Sequence, residues 1–377
     1  AAAVRAGLAA HVSDASAALV NVDAGSTDGT VDLLAASGLP VALARHAVPI
    51  GERAAVPYHG LPGRDAALRL AFEAARGLDG RVLVLLEADV TSIGAEWIDR
   101  LVCPVLDHKA DVVVPAYARH RYEGTITNLV LAPLVRALFG RRVRQPLGGA
   151  YALSRRLLEH ALEHPERPTM GHDLVEPWLL GVAIADGFAL REAWLGPRRL
   201  ETRTRATDLP TMLAQALGAL LAVMERYEVL WIGVTGSEPL QAVGEPAPLS
   251  IEPASVDVER MVGAFRRGLR DLVEIWELIL APETLGDVLS LDVRDVTAYR
   301  FPDPLWARVV YDFVLGHHFG VVYRDHLLRS LVPLYLGRTA AFVNATASVG
   351  AAETAAALER VGAAFEGQKA YLVERWR

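Results

Sequence analysis

Cysteine is nearly absent from this chain. Of 377 residues one, Cys103, carries a thiol. That excludes a disulfide framework and a thiolate metal cluster, and it makes a reduced cytoplasm the expected setting. No apolar run approaches the roughly 20 residues of a membrane span. The longest candidate, Ala216–Met224, is bounded by Gln215 and Glu225 and reads as a buried helix. Positive charge is in the minority, 38 Lys and Arg against 45 Asp and Glu for a formal charge of −7. Such a balance argues against a nucleic-acid or anionic-membrane binder, although a local basic patch can still hold a phosphate. The sequence has no G-x-G-x-x-G after a strand, no P-loop and no G-x-S-x-G elbow. The dinucleotide fingerprint, the Walker phosphate cradle and the hydrolase nucleophile turn are therefore missing. No internal repeat stands out, and the opening AAAVRAGLAAHV lacks the features of a signal peptide and reads as an amphipathic helix.

Apolar residues, at 52%, and charged residues, at 22%, are in globular proportion. The length suffices for two or three domains. Residues 1–195 alternate helical and strand-like patterns: a helix near 2–12, strands at Ala17–Val22 and Leu39–Arg45, a helix at Val31–Ser37 and another at Asp65–Gly77. Arg81–Leu86 is a continuous apolar strand that stops abruptly at Glu87-Ala88-Asp89, and Asp111–Val114 is a further short strand. Apolar strands alternating with helices predict an α/β unit with a largely parallel, doubly covered sheet, whose ligands bind at strand carboxyl ends. From Asp208 onward the pattern is helical: Leu209–Tyr227, Val256–Ile279, Pro304–His317, Arg324–Ala347 and Ala351–Trp376. The expected organisation is an α/β domain over 1–207 and an all-helical region over 208–377. The Pro/Gly-rich stretch 236–253 reads as a linker or an ordered loop.

Six polar clusters are candidates for chemistry. Glu87 and Asp89, two apart at a strand end, point to one side and suit Mg²⁺ or Mn²⁺ held against a diphosphate; the structural alternative is a pair of solvated loop carboxylates or helix caps. Asp23 opens Asp23–Thr30 (DAGSTDGT) at another strand end, where it could accept hydrogen bonds from a base or ribose, while Ser26–Asp28 read as helix caps. Arg64, in the turn Tyr58–Asp65, could pair with phosphate, or the turn is a simple loop with Asp65 as cap. Arg119–Asn128 joins a basic cluster to hydroxyls at a helix start, which suits an anionic acceptor or is an exposed basic edge. The paired glycines of Gln145–Tyr151 (QPLGGAY) permit close backbone approach to a ligand. Gly171-His172-Asp173 sets an acid and a histidine after a turn, and each of these last two segments also reads, taken alone, as ordinary loop. In the helical half, His317-His318 reads as one buried and one exposed histidine, since neighbours on a helix diverge.

The order of these clusters resembles the retaining nucleotide-sugar glycosyltransferases of the GT-A fold, in particular the glucosyl-3-phosphoglycerate and mannosylglycerate synthases, and a broader set of bacterial family-2-type glycosyltransferases. Four segments carry the likeness: VNVDAGSTDGT, LLEADVTSIGAEWI, GTITNLVLAPLVRALFG with RQPLGGAYALSRRLL, and the helical MERYEVLW, spanning about residues 1–230. The resemblance implies a GT-A-like nucleotide-sugar-binding sheet, its first strand apparently absent, followed by an all-helical C-terminal region. It implies transfer of a hexose, with retention, from an NDP-sugar to a small hydroxy-acid-type acceptor, assisted by Mg²⁺ or Mn²⁺. Asp23 would contact the nucleoside, and Arg64 would replace the lysine of a P-G-K-G loop near the diphosphate. Glu87 and Asp89 would stand for the D-x-D, with Asp89 as metal ligand. Leu147, Gly148 and Gly149 would line the sugar and acceptor pocket. Thr127 would lie near the acceptor's charged group, and Asp173 would hold an acceptor or sugar hydroxyl.

The sequence departs from that pattern in places. Glu87 replaces an aspartate, Arg64-Asp65 replaces Lys-Gly, and Arg199–Thr202 lacks the metal-binding histidine that relatives carry there. A second reading, from another class, is a catalytically degenerate GT-A-fold protein acting through binding or assembly. A third is a nucleotidyltransferase, which would show a glycine-rich G-x-G-T-R-type loop at its first strand. The partners expected are the sugar donor and acceptor, with no nucleic acid, no membrane span and a possible homodimer through the helical half.

Overall fold

In a computed structural model of the chain, residues 1–13, 16–23, 25–45, 64–165, 175–200, 209–252, 254–292 and 294–377 are described. In chain order the first elements are α1 (Ala2–His11), β1 (Leu19–Asp23), α2 (Thr30–Ala35), β2 (Val41–Arg45), α3 (Arg64–Gly77), β3 (Val82–Leu85), α4 (Glu96–Leu106) and β4 (Val112–Ala118). A π-helical turn (Thr127–Leu131) runs into α5 (Ala132–Phe139), followed by β5 (Arg141–Arg142), β6 (Tyr151–Ser154), α6 (Arg155–Glu163), α7 (Val175–Ala185) and β7 (Leu190–Pro197). The remainder is α8 (Leu209–Arg226), α9 (Glu228–Gly233), β8 (Glu238–Pro239), β9 (Ala242–Val243), α10 (Val258–Asp271), α11 (Val273–Ile279), α12 (Pro282–Leu289), α13 (Asp303–His318), α14 (Arg324–Thr346) and α15 (Ala351–Trp376). These form two compact units that interleave along the chain. The first comprises Ala1–Ala118, Gln145–Asp208 and Leu240–Ala247, the second Arg119–Arg144, Leu209–Pro239 and Pro248–Arg377. Residues 119–144, which the sequence pattern groups with the sheet, thus belong with the helices.

The first unit is mixed α/β. Its main sheet has the order β3-β6-β4-β7-β9, and β1 pairs with β2 in a separate parallel ribbon. The sheet is largely parallel, as expected, with one reversed strand: β4 and β7 are parallel, as are β7 and β9, and β3 shares their direction because β6 runs antiparallel to both β3 and β4. The cause is local. Gly149, at φ +76°, turns the chain where a residue with a side chain would be strained, and Tyr151–Ser154 enters the sheet in reverse. Helix α4 covers one face: Trp97, Leu101 and Val105 pack with Val113, Tyr117, Ala152 and Leu195. Trp97 is fully buried, and its indole N–H donates to the Leu195 carbonyl at 2.9 Å, so the large ring carries no orphan donor. Helix α1 reaches α4 through Gly7, where a Cβ would sit 2.5 Å from the Ala95 carbonyl oxygen.

The second unit is helical, held by apolar packing and a few buried polar ties. Arg136 lies between Glu359 and Glu366 at 2.7 Å from each. Arg121 donates to the carbonyls of Thr346 and Val349 at the end of α14, at 2.6 and 2.9 Å, satisfying groups a helix terminus leaves open. The indole of Trp306 donates to the Leu129 carbonyl of the π-turn at 2.7 Å. Ala216–Met224 is buried apart from Ala222, with Val223 and Met224 at 1% and 0% exposure, as its apolar run predicts. Among the described residues no helix is long and apolar enough to cross a membrane.

Within the stretch 236–253, residues 236–252 form an ordered segment: β8 pairs with β5, β9 extends the main sheet beside β7, and Ser250 exchanges backbone hydrogen bonds with Arg119 and Arg121. The histidine pair also departs from expectation. His317 and His318 are similarly half-buried and both face Glu225, at 3.8 and 2.9 Å, because the pair ends α13.

Candidate active site

Strand β3 delivers Glu87-Ala88-Asp89 to the carboxyl end of the main sheet. What fixes this acid turn is the chain after β7. Val90 bridges to Leu200, the Thr91 N–H donates to the Arg199 carbonyl at 2.9 Å, and the Arg199 N–H donates to the Ser92 hydroxyl at 3.0 Å. The clamp brings Arg198 onto Glu87. The two form a buried ion pair, their side chains 9% and 5% exposed, with the guanidinium 5.6 Å from the centroid of the Tyr117 ring. Asp89 stays half-exposed beside it. Glu87, expected as a metal ligand, thus has its carboxylate engaged by an arginine, and of the pair Asp89 is the residue left toward solvent.

The Gln145–Gly149 loop closes on the same place. Gln145 donates to the Tyr117 carbonyl at 3.0 Å. The Tyr151 hydroxyl accepts the Gly148 N–H at 3.0 Å and donates to the Pro146 carbonyl at 2.8 Å, which pairs two backbone groups of the buried loop. Both glycines are sterically required. A Cβ on Gly148 would lie 2.0 Å from Pro115, and one on Gly149 would lie 2.3 Å from a Glu87 carboxylate oxygen. Leu147 is buried at 4% exposure. The close approach that the glycines permit is therefore, in the first place, an approach to Pro115 and Glu87.

Asp23 ends β1 and is buried, but its carboxylate is turned onto its own loop. It accepts the N–H of Gly25 at 3.0 Å and that of Ser26 at 3.1 Å, an Asx-type turn that lets Gly25 adopt φ +103°. The Ser26 hydroxyl, and then these amides, hold its pKa below the ordinary aspartate value. The cap of α2 is Gly29 and not a residue of Ser26–Asp28; Asp28 instead accepts from the Thr30 N–H and hydroxyl at 3.1 and 2.6 Å. Arg64 heads α3, and its side chain lies outside the described residues, as does Asp173 entirely. Thr127 belongs to the second unit, where it begins the π-turn at 2% exposure. Nearby, the Thr125 hydroxyl meets the Tyr335 hydroxyl at 2.5 Å.

Of the residues singled out in sequence, the fold brings Glu87 to Gly149 and keeps Asp89 next in line. Arg198 is the residue that the sequence pattern did not single out. Its signal was the basic pair Arg198-Arg199 at the head of the Arg199–Thr202 stretch.

No protein-family model matches the chain, and no curated protein matches it. Solved structures do. Glucosyl-3-phosphoglycerate synthase from Mycobacterium tuberculosis, in complex with phosphoglyceric acid, is 28% identical with a TM-score of 0.42, over 60% of this chain and 76% of that one. The same enzyme with Mn²⁺, uridine diphosphate and phosphoglyceric acid gives 27% identity and a TM-score of 0.43, over 60% and 74%. With Mn²⁺, UDP-glucose and phosphoglyceric acid, a further structure gives 25% and 0.43, over 65% and 85%. At TM-scores below 0.5 these likenesses carry no functional assignment by themselves.

Proposed function

We propose that the chain is a glycosyltransferase that moves a hexose from an NDP-sugar to a small hydroxy-acid-type acceptor, with retention. The observation that supports this most is the convergence at the end of β3: a half-exposed Asp89, a buried Glu87–Arg198 pair and the Gly148-Gly149 backbone, in one clamped turn. It stands with the motif order noted in the sequence. Among the described residues no group of three His, Cys, Asp or Glu ligands gathers at Glu87 and Asp89. That donor set fits Mg²⁺ or Mn²⁺, which bind through one or two carboxylates and take the rest of their shell from substrate phosphates and water. When bound, such an ion offsets negative charge on the leaving diphosphate.

The chain's own residues have these parts in the reading. Asp89 offers the ligand oxygen. Glu87 fixes Arg198 as a preorganised cation, the kind of group that lowers a barrier where anionic charge develops. Gly148 and Gly149 let the backbone come close to the sugar. Asp23 shapes the loop that meets the nucleoside, and Arg64 approaches the diphosphate. Thr127 and Asp173 serve the acceptor. The acceptor hydroxyl bonds to the anomeric carbon on the face from which the diphosphate departs; the C–O bond to the diphosphate breaks, and the hydroxyl proton passes to the departing phosphate oxygen.

One observation favours a second reading, a degenerate protein of this fold that binds without turning over: Glu87 is engaged by Arg198, leaving a single acidic ligand. Thermal stabilisation by UDP, GDP, UDP-glucose and GDP-mannose, with and without Mn²⁺ or Mg²⁺, tests both. Ligands that bind only the folded state raise the midpoint. A shift for one base that needs the cation and disappears in Asp89→Ala is the expected result. No shift with any pair refutes the donor site. A shift without sugar release to water or to any hydroxy acid supports the binding protein.

A further inference from the structure

We propose that His160, His164 and Asp186 form a binding site for a transition-metal ion such as Zn²⁺, tying the end of α6 to the end of α7. Their donor atoms lie within 4.8 Å of one another, the one such convergence of three ligand groups among the described residues. His160 and His164 are four apart, so they sit on one side of α6, with His164 as the first residue beyond its last turn. Asp186 follows α7 directly, and its backbone is fixed by an N–H bond to the Val182 carbonyl at 2.9 Å. His160 Nε2 already lies 2.7 Å from an Asp186 carboxylate oxygen.

The fit is chemical as well as spatial. Two imidazole nitrogens and one carboxylate suit zinc, cobalt and nickel, whereas Mg²⁺ and Ca²⁺ prefer all-oxygen shells. Ligand distances near 2.1 Å in a tetrahedral site put donors about 3.4 Å apart. His160 and Asp186 stand closer than that, at 2.7 Å, and all three donors lie within 4.8 Å of one another. Aromatic neighbours hold the rings in place: Phe188 is 5.1 Å from the His160 ring and Trp178 meets His164 edge-on at 5.3 Å. Arg156, one turn earlier on α6, bonds Asp111, so its charge is countered. The fourth position opens to solvent, since the His160 side chain is 37% and that of Asp186 26% exposed.

Zinc alone is the probe, titrated calorimetrically into chelator-treated protein carrying Asp89→Ala, so that the acid turn does not contribute. One equivalent is expected to bind and to raise the melting midpoint, and Mg²⁺ at the same concentration is expected to do neither. Cobalt(II) should give the intense visible bands of a four-coordinate ion. His164→Gln and Asp186→Asn should each weaken zinc binding at least tenfold. The metal-free midpoint of each variant shows whether it is folded, and either folded variant suffices. Zinc affinity unchanged in a folded variant, or no zinc uptake by the parent, overturns the site.

Discussion

Gly149→Ala tests whether the acid turn is held as described. Gly149 has φ +76°, and an added Cβ would lie 2.3 Å from a Glu87 oxygen; Gly187 has nearly the same backbone, φ +75°, with nothing within 4 Å. The two sites therefore share the backbone penalty and differ in the neighbour. A side chain in the left-handed region costs about 1–2 kcal/mol, and the stiffer unfolded chain returns roughly 0.4–1 kcal/mol. Gly187→Ala should thus destabilise by about 1 kcal/mol. A carboxylate on a flexible side chain would move aside easily were it exposed, but Glu87 is 8% exposed and bound to Arg198. Displacing it strips a buried guanidinium of its partner, and full loss of such a partner costs about 3–5 kcal/mol. Gly149→Ala should exceed Gly187→Ala by at least about 2 kcal/mol, on the scale set by that loss. Urea denaturation with an unchanged m-value is the assay, repeated in Glu87→Ala, where the excess should vanish. Equal costs for the two glycines would refute the close packing of Glu87 on the loop.

Three further outcomes follow from other groups. Arg198→Ala and Glu87→Ala should each destabilise by about 3–5 kcal/mol, and the double variant by clearly less than the sum, measured in the same denaturation series. Burial pushes the Lys369 ammonium down to about 8, where its Nζ donates to the Val234 carbonyl. The folded state therefore binds this proton less tightly than the unfolded chain does; the penalty is complete below pH 8 and fades above it. Stability should climb between pH 8 and about 10.4 in the parent and lose that slope in Lys369→Met, read from melting midpoints. Burial, then the neighbouring Asp99 side chain, pushes the Cys103 thiol up to about 11. Its reaction with a disulfide reagent at pH 8 should be roughly a hundredfold slower than in denaturant.

Local pattern made β3 and β4 legible, one at an edge of the sheet and one at its centre, and left β6, β7 and β9 unread. RVLVLL announces β3, and the stop at Glu87 announces the turn, because a covered strand is apolar throughout. Strand β6 was hidden because four residues after a glycine pair have no period to read. Residues 119–144 read as part of the sheet domain because their partners are far along the chain: Arg121 bonds carbonyls more than 200 residues away. The Asx turn at Asp23 was in principle readable from Asp-x-Gly-Ser. The Glu87–Arg198 pair spans 111 positions and was not.

That pair also bears on why this turn departs from D-x-D. Glu87 reaches past Gly149 to Arg198, and the glycine is needed because the carboxylate fills the space a side chain would take. An aspartate at 87 is one methylene shorter, and withdrawing a carboxylate from a buried guanidinium is costly. The extra carbon thus has a structural use, independent of any ligand. On the proposed reading, work that two aspartates would share is divided: Glu87 secures a fixed cation, and Asp89 alone meets the metal. Charge supports the division. With Glu87 paired to Arg198, that carboxylate adds little repulsion toward a diphosphate. Two free carboxylates would bind the ion more tightly but repel the diphosphate whenever the ion is absent. Nucleotide binding should therefore depend on the cation through Asp89, while the residue that departs from the motif serves the site through Arg198.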